Sequence, residues 1–281
     1  MPHDHDFIVV GSGFGGSVAG LRLTEAGYRV LMLEKGPRFE ADDFARTNWN
    51  LRRWLWAPRL GLRGPFRMTF LRHLTALSGV GVGGGSLVYA GVLQEPRDGF
   101  FTAPSWSYLA DWRAELEPHY VTARRMLGAE TVPFHTYPDD VVAGVARELG
   151  REEHHAPTTV SVYFGEPGKT VPDPYFDGEG PERTGCIHCG GCMVGCRYGA
   201  KNTLDRNYLW LAERKGLAIR AEAEVVAVRR TENGYAVETR EGRRPLRRRR
   251  TYTARRVILA GGVLGTVPLL LRMQEDPDGL P

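Results

Sequence analysis

Three glycines at positions 11, 13 and 16 form a G-x-G-x-x-G set. The set sits between a short apolar run, Phe7–Val10, and a stretch of helical spacing from Ser17 to Ala26 that Gly27 closes. A second apolar run, Arg29–Leu33, follows and ends in Glu34. Strand, glycine turn, helix, strand and acid in that order constrain the chain to a βαβ unit built around a dinucleotide. Each residue type has its reason. Gly11 allows the tight turn, Gly13 leaves the backbone open to a pyrophosphate, and Gly16 lets helix and sheet approach closely. The helix N-terminus offers free N–H groups to the phosphates, and Glu34 is placed to accept hydrogen bonds from ribose hydroxyls. A purely structural glycine turn with a surface acid explains the glycines but not the order.

Residues 79–91, GVGVGGGSLVYAG, are a second glycine-rich stretch. Gly83, Gly84 and Gly85 leave backbone N–H groups uncovered, and Ser86–Tyr89 reads as a strand. A flexible loop is the alternative; three successive glycines before an apolar run argue for close approach to a ligand.

The net charge of +4 invites a nucleic-acid reading. Six of the basic residues are Arg243, Arg244 and Arg247–Arg250; without them the balance is 31 basic against 33 acidic. The charge is therefore one local ribbon, Arg240–Arg256, and no nucleic-acid partner is expected. No apolar run approaches the length of a membrane span. The N-terminal MPHDHD lacks a basic start and an apolar core, so a cytoplasmic location is expected.

All four cysteines lie in one run, Cys186, Cys189, Cys192 and Cys196, spaced C-x2-C-x2-C-x3-C. This is the spacing of bacterial ferredoxin clusters, but Arg197 stands where such runs have proline. No distant cysteine completes a cubane, so Cys196 would have to fold back or His188 substitute. Structural zinc normally joins two separated pairs. The reading adopted is no metal, four reduced thiols in a glycine-rich knuckle, with an iron–sulfur cluster through these four cysteines as the alternative.

Elsewhere, residues 50–74 mix arginines with Trp54, Trp56, Phe66 and Phe70. Pro58 and Pro65 break any long amphipathic helix, which favours a lid over a membrane-interface segment. Residues 106–155 read as helical, interrupted at Pro118, with a further helix over Asp139–Leu149. His154 and His155 read as solvated loop. Residues 156–181 are Pro/Gly-rich. A helix over Asn202–Glu213 precedes strands Ala218–Val228 and Tyr235–Thr239. The run Arg256–Leu259 then enters a glycine turn and a helix, Val267–Met273.

Four stretches, residues 6–36, 79–92, 199–213 and 257–273, together resemble the glucose–methanol–choline (GMC) oxidoreductases, and within them the bacterial cholesterol oxidases. The resemblance implies an α/β fold: a Rossmann-like FAD-binding domain with a partly helical lid on the substrate side. It implies bound FAD, with an alcohol or sterol passing hydride to the flavin. By position, Gly11, Gly13, Phe14, Gly15, Gly16 and Glu34 match the ADP-binding residues. Gly83, Gly84, Gly85 and Ser86 match the stretch along the flavin, with Tyr89 where extracellular cholesterol oxidases carry asparagine. Val225 matches the strand near adenine and Gly262 the late turn at the pyrophosphate. The expected division is a first part of the FAD domain over 1–100, a lid and insertion over 101–180, and a cysteine knuckle with a return to the FAD domain over 181–281. Family members continue for about as long again. The substrate half with its catalytic histidine is therefore expected to be missing, no catalytic residue is assigned, and this chain alone is expected to lack alcohol oxidation. A complementary C-terminal half and a transient membrane-surface contact are the expected partners. The alternative is a flavin-binding or electron-transfer module without alcohol chemistry.

Overall fold

The structure is a computed structural model and describes residues 3–243 and 246–276. Its principal strands, in chain order, are β1 (His5–Val10), β2 (Val30–Leu33), β3 (Phe66–Phe70), β4 (Thr75–Gly79), β5 (Ala218–Arg220), β6 (Ala223–Thr231), β7 (Gly234–Glu241) and β8 (Arg248–Leu259). The longer helices are α1 (Phe14–Glu25), α2 (Trp112–Met126), α3 (Tyr137–Glu148), α4 (Tyr208–Arg214) and α5 (Val263–Glu275).

β1 is apolar at every inner position, and such a strand needs cover on both faces. It has parallel neighbours on both edges, β2 and β8. Phe7, Val9, Val30 and Met32 point into one core with Leu21 of α1 and Leu209 of α4. Ile8, Leu31 and Leu33 point into a second core with Val228, Val237, Leu269 and Met273. Fully burying one such side chain contributes about 1.5–3 kcal/mol, so the period-two alternation of these two strands holds helices on both sides of the sheet.

The sheet order is β5-β2-β1-β8-β7-β6, parallel as far as β8 and antiparallel beyond it. β8 is long enough to serve both parts. Residues 248–254 pair with β7, and 254–259 pair with β1. The sheet curls so far that its edges meet: β5 and β6 are opposite edges, yet only Ala221 and Glu222 separate them. Ala223 N donates to Glu34 O (2.8 Å) and Glu222 N to Gly36 O (2.9 Å), closing the gap.

The single strand expected over 218–228 is therefore two strands, because Glu222 turns the chain at φ 56°. Pro118 does not interrupt its helix: α2 runs through it. The missing N–H costs about 3 kcal/mol or more, and the Asp111 cap on Ala114 N and the remaining turns carry the helix past it. α3 starts at Tyr137, fixed by a reciprocal cap between Thr136 and Asp139. The helix expected over 202–213 is a tight turn, Leu204–Arg206, followed by α4, and α5 begins at Val263 rather than 267. Residues 50–74 form one helical turn, Leu51–Trp54, and short hairpins, including β3–β4. The arginine ribbon lies on β7 and β8, which pair antiparallel; residues 244–245 lie outside the described residues. Arg243, Arg247 and Arg250 pair there with Glu222, Glu224 and Glu241.

Candidate cofactor-binding site

The glycine turn lies at the carboxyl ends of β1 and β8. Gly11 N donates to Leu33 O (2.9 Å), and Gly11 adopts φ 101°. A side chain there would also meet Ala260 O at 2.6 Å. At Gly16 a Cβ would overlap the Gly11 carbonyl oxygen, so this glycine is fixed by the approach of α1 to the sheet. Gly13 and Gly15 are different: a Cβ at either meets nothing within 4 Å. Their space is open rather than filled by the fold.

Ala260 N donates to Val10 O (2.8 Å), which brings Gly261 and Gly262 alongside the first turn. α1 begins directly after Gly13 and α5 directly after Gly262. Two helix N-termini, each carrying unpaired N–H groups and the positive end of its dipole, thus open at one end of the sheet. A Cβ at Gly262 likewise meets nothing within 4 Å. The crevice lies where the strand order departs from β1 in both directions, the place where open α/β sheets bind ligands.

The second glycine stretch packs directly onto the first. A Cβ at Gly84 would lie 2.7 Å from Gly13 Cα. Gly84–Leu87 forms one tight helical turn, not the expected strand. Ser86 explains this. Its buried hydroxyl donates to Gly83 O (2.7 Å) and accepts from Leu204 N (3.0 Å), which bends the chain instead of extending it. Phe14 remains well exposed, with the Tyr89 ring edge-on at 5.8 Å.

Glu34 stands at the end of β2 as expected, but it is buried and already engaged. Its Oε2 accepts from Ser12 Oγ (2.8 Å) and Ser12 N (3.2 Å), and its Oε1 from Gly36 N (2.9 Å). An ionised carboxylate offers about four acceptor sites, so roughly one remains for a ligand hydroxyl. Ser12, not singled out in the sequence, also accepts from Gly83 N (3.2 Å) and ties both glycine stretches to this acid. Val225 is buried beside the bulge that leaves Val226 unpaired, on the strand whose start is bonded to Glu34 O.

Tyr89 turns its hydroxyl inward, donating to Asn202 O (2.8 Å) and sharing a hydrogen bond with Ser161. Burial pushes its pKa up to about 12. Beneath it, Lys201 is 1% exposed. Its Nζ donates to Leu87 O (3.0 Å), Tyr89 O (3.0 Å) and Cys192 O (2.7 Å), and burial lowers its pKa to about 8. Arg183, fully buried, donates to Asn202 Oδ1 (2.8 Å), Pro181 O and Arg206 O (both 2.6 Å). Burial raises the Asp205 carboxyl, whose Oδ1 has no hydrogen-bond partner and faces Gly83. These buried polar groups support the second glycine stretch from below. The only signal of Arg183, Lys201 and Asp205 in the sequence is their place on either side of the cysteine run.

The four cysteines are free, and Cys189 is exposed. Among the described residues, no group of three or more His, Cys, Asp or Glu is gathered tightly enough to hold a metal ion. No helix among them is long and apolar enough to cross a membrane.

Residues 181–273 match the family model described as GMC oxidoreductase, and residues 9–51 match an NAD(P)-binding Rossmann-like domain. The sequence is 51% identical over 282 residues to the cholesterol oxidase of Mycobacterium tuberculosis and 43% identical over 285 residues to that of Acinetobacter baumannii. Both alignments cover 98% of this chain, but only 49% and 51% of those proteins. The chain is similar to the GMC oxidoreductases over residues 181–273 and to these two cholesterol oxidases along nearly its whole length. It spans about half the length of the curated relatives it matches. A crystal structure of pyridoxine 4-oxidase from Mesorbium loti shares the fold, at TM-score 0.54 and 19% identity over 92% of this chain and 49% of that one. The family-model match begins at Pro181 and takes in the cysteine run, Lys201, Val225 and Gly262.

Proposed function

We propose that this chain is the FAD-binding half of a flavin-dependent oxidoreductase acting on CH–OH groups of a sterol or related alcohol. The observation that carries the cofactor reading is the open crevice where α1 and α5 begin. Glycines 13, 15 and 262 have no protein atom where a Cβ would go, while Gly11 and Gly16 are closed by the fold. The space is shaped for a pyrophosphate at two helix N-termini. Gly11, Gly13, Phe14, Gly15, Gly16 and Gly262 would line the ADP and pyrophosphate part, with the free acceptor site of Glu34 on the ribose and β6 at Val225 beside adenine. Gly83, Gly84, Gly85, Ser86 and Tyr89 would run along the isoalloxazine. FAD supplies the hydride acceptor at this site.

The protein's own part is support and electrostatics. Ser12 holds the carboxylate of Glu34 in place and fixes Gly83 above it. Lys201 pins the carbonyls of Leu87 and Tyr89 at the far end of the second glycine stretch, while Gly83 N donates to Ser12 Oγ and Gly84 N to Gly81 O at its near end. The substrate class is supported by the kinship with cholesterol oxidases. Phe70, Leu71 and Leu74 are exposed on the β3–β4 hairpin beside Arg72, a composition suited to transient contact with a membrane surface. Titration of the purified chain with FAD, followed by quenching of flavin fluorescence, tests the cofactor. Anaerobic addition of cholesterol and simple alcohols to the loaded protein, followed by flavin bleaching, tests the reaction. Folded protein that takes up no flavin would overturn the reading. Bleaching by simple alcohols but not by sterol would overturn the substrate class.

A further inference from the structure

We propose that the loop Cys186–Ala200 binds one iron–sulfur cluster through Cys186, Cys189, Cys192 and Cys196, beside the second glycine stretch and apart from the dinucleotide crevice. The spacing raises the possibility, and the objection is the fourth ligand. In two-cluster ferredoxins the last cysteine of such a run serves a second cluster. Here it folds back. Gly195 adopts φ 99° against the ring of Phe44, where a Cβ would overlap. Cys196 then returns to the pocket that the other three cysteines line. His188, the other possible ligand, stacks on Phe134 at 4.2 Å.

The loop is built to hold something. Both of its ends are clipped to one residue: Cys186 N donates to Tyr163 O (3.0 Å), and Tyr163 N donates to Ala200 O (2.8 Å). Between these clips all four cysteines line one small pocket that opens in part to solvent. A single ion needs its ligands gathered at one point, and they are not. A cluster is a larger body whose ligands stand apart around it, and all four cysteines line the one pocket. Backbone N–H groups already aim at two of the sulfurs, His188 N at Cys186 Sγ (3.4 Å) and Lys201 N at Cys196 Sγ (3.5 Å). His188 reaches its position at φ 58°, a conformation few side chains adopt without a local reason. The Lys201 ammonium lies buried against the same pocket, a fixed positive charge beside thiolates that would carry negative charge. The same ammonium holds the carbonyls of Leu87 and Tyr89. The cluster would therefore lie one side chain away from the proposed flavin stretch.

The test is the metal content of the full chain, purified without oxygen and then reconstituted with ferric iron, sulfide and excess thiol. Expected are iron and acid-labile sulfide in equal amounts at about one cluster per chain, and a low-temperature EPR signal after dithionite. Cys192→Ser should lose most of the bound iron. Should that variant fail to fold, Cys189→Ser, whose side chain is exposed, should do the same with an unchanged circular-dichroism spectrum. These readouts do not depend on flavin, so their failure is distinguishable from failure of the FAD reading. Iron and sulfide at background in folded, reconstituted protein would overturn the proposal. So would stoichiometric zinc in place of iron, or full iron retention in the cysteine variants.

Discussion

The same small change, glycine to alanine, should act oppositely at two positions three residues apart. At Gly13 the backbone is extended, φ −72° and ψ −167°, and an added methyl meets no protein atom within 4 Å. The substitution lowers unfolded-state entropy, worth about 0.4–1 kcal/mol of stability, and weakens a helix cap by a comparable amount, so Gly13→Ala should leave stability within about 1 kcal/mol of the parent. It should nonetheless displace the pyrophosphate from the N–H groups at the start of α1. Hydrogen bonds to a charged group contribute about 1.5–3 kcal/mol each, so losing two weakens FAD binding by roughly 10²–10⁴-fold. At Gly16 the methyl would overlap the carbonyl oxygen of Gly11. The neighbour is backbone, which cannot rotate away, so Gly16→Ala should destabilise the fold at the upper end of overpacking costs, about 3 kcal/mol. Urea denaturation gives the stabilities and flavin fluorescence gives the affinities. Unchanged FAD affinity in folded Gly13→Ala would refute the crevice, and equal destabilisation of the two variants would refute the packing argument.

Ser12→Ala strips the hydroxyl donor from Glu34 and the acceptor from Gly83 N; a loss of about 1–3 kcal/mol is expected on urea denaturation. Arg183→Met leaves Asn202 Oδ1 and two backbone carbonyls without their buried donor and should cost about 3 kcal/mol, read as a lower melting temperature. Burial raises the Tyr89 pKa in the folded protein from its ordinary value of 10 to about 12, so its contribution is full below pH 10 and lost as the pH rises from 10 to 12. Tyr89→Phe should flatten the stability profile in that window; an unchanged slope would show that Tyr89 is not the group titrating. Phe70→Asp with Leu74→Asp should reduce co-sedimentation with anionic vesicles several-fold, and unaltered binding would remove the hairpin from the membrane contact.

The dinucleotide turn was legible because its residues are local: strand, turn, helix and acid lie within residues 7–34. The packing roles of Gly11 and Gly16 could be read from type alone, since each follows from the absence of a Cβ. The second glycine stretch was legible as a place of close approach, but its conformation was not. Ser86 bonds to Leu204 N across 118 residues, and that partner decides between a strand and a tight turn. Ser12 was hidden for a similar reason: a serine between glycines carries no pattern, and its value comes from Glu34 and Gly83 arriving together. Lys201 and Arg183 carry no sequence pattern that marks them as buried. Only the folded chain encloses them, because the carbonyls they satisfy come from segments far apart in sequence. The curl of the sheet was likewise out of reach, since it depends on one long strand pairing with two partners.

That curl places a long delay in the synthesis of the protein. β1 acquires its second parallel neighbour only when β8 exists, and Phe7 pairs with Arg256. At about 5–20 residues per second on the ribosome, the first strand emerges roughly 10–50 s before the partner that covers its other edge. Throughout that interval an apolar strand presents unpaired N–H and C=O groups, the condition that invites pairing with another chain. Slow translation through residues 50–250 should therefore lengthen the hazard, and a nascent chain halted before residue 248 should associate strongly with a holding chaperone. One halted beyond residue 259 and clear of the ribosomal tunnel should release it.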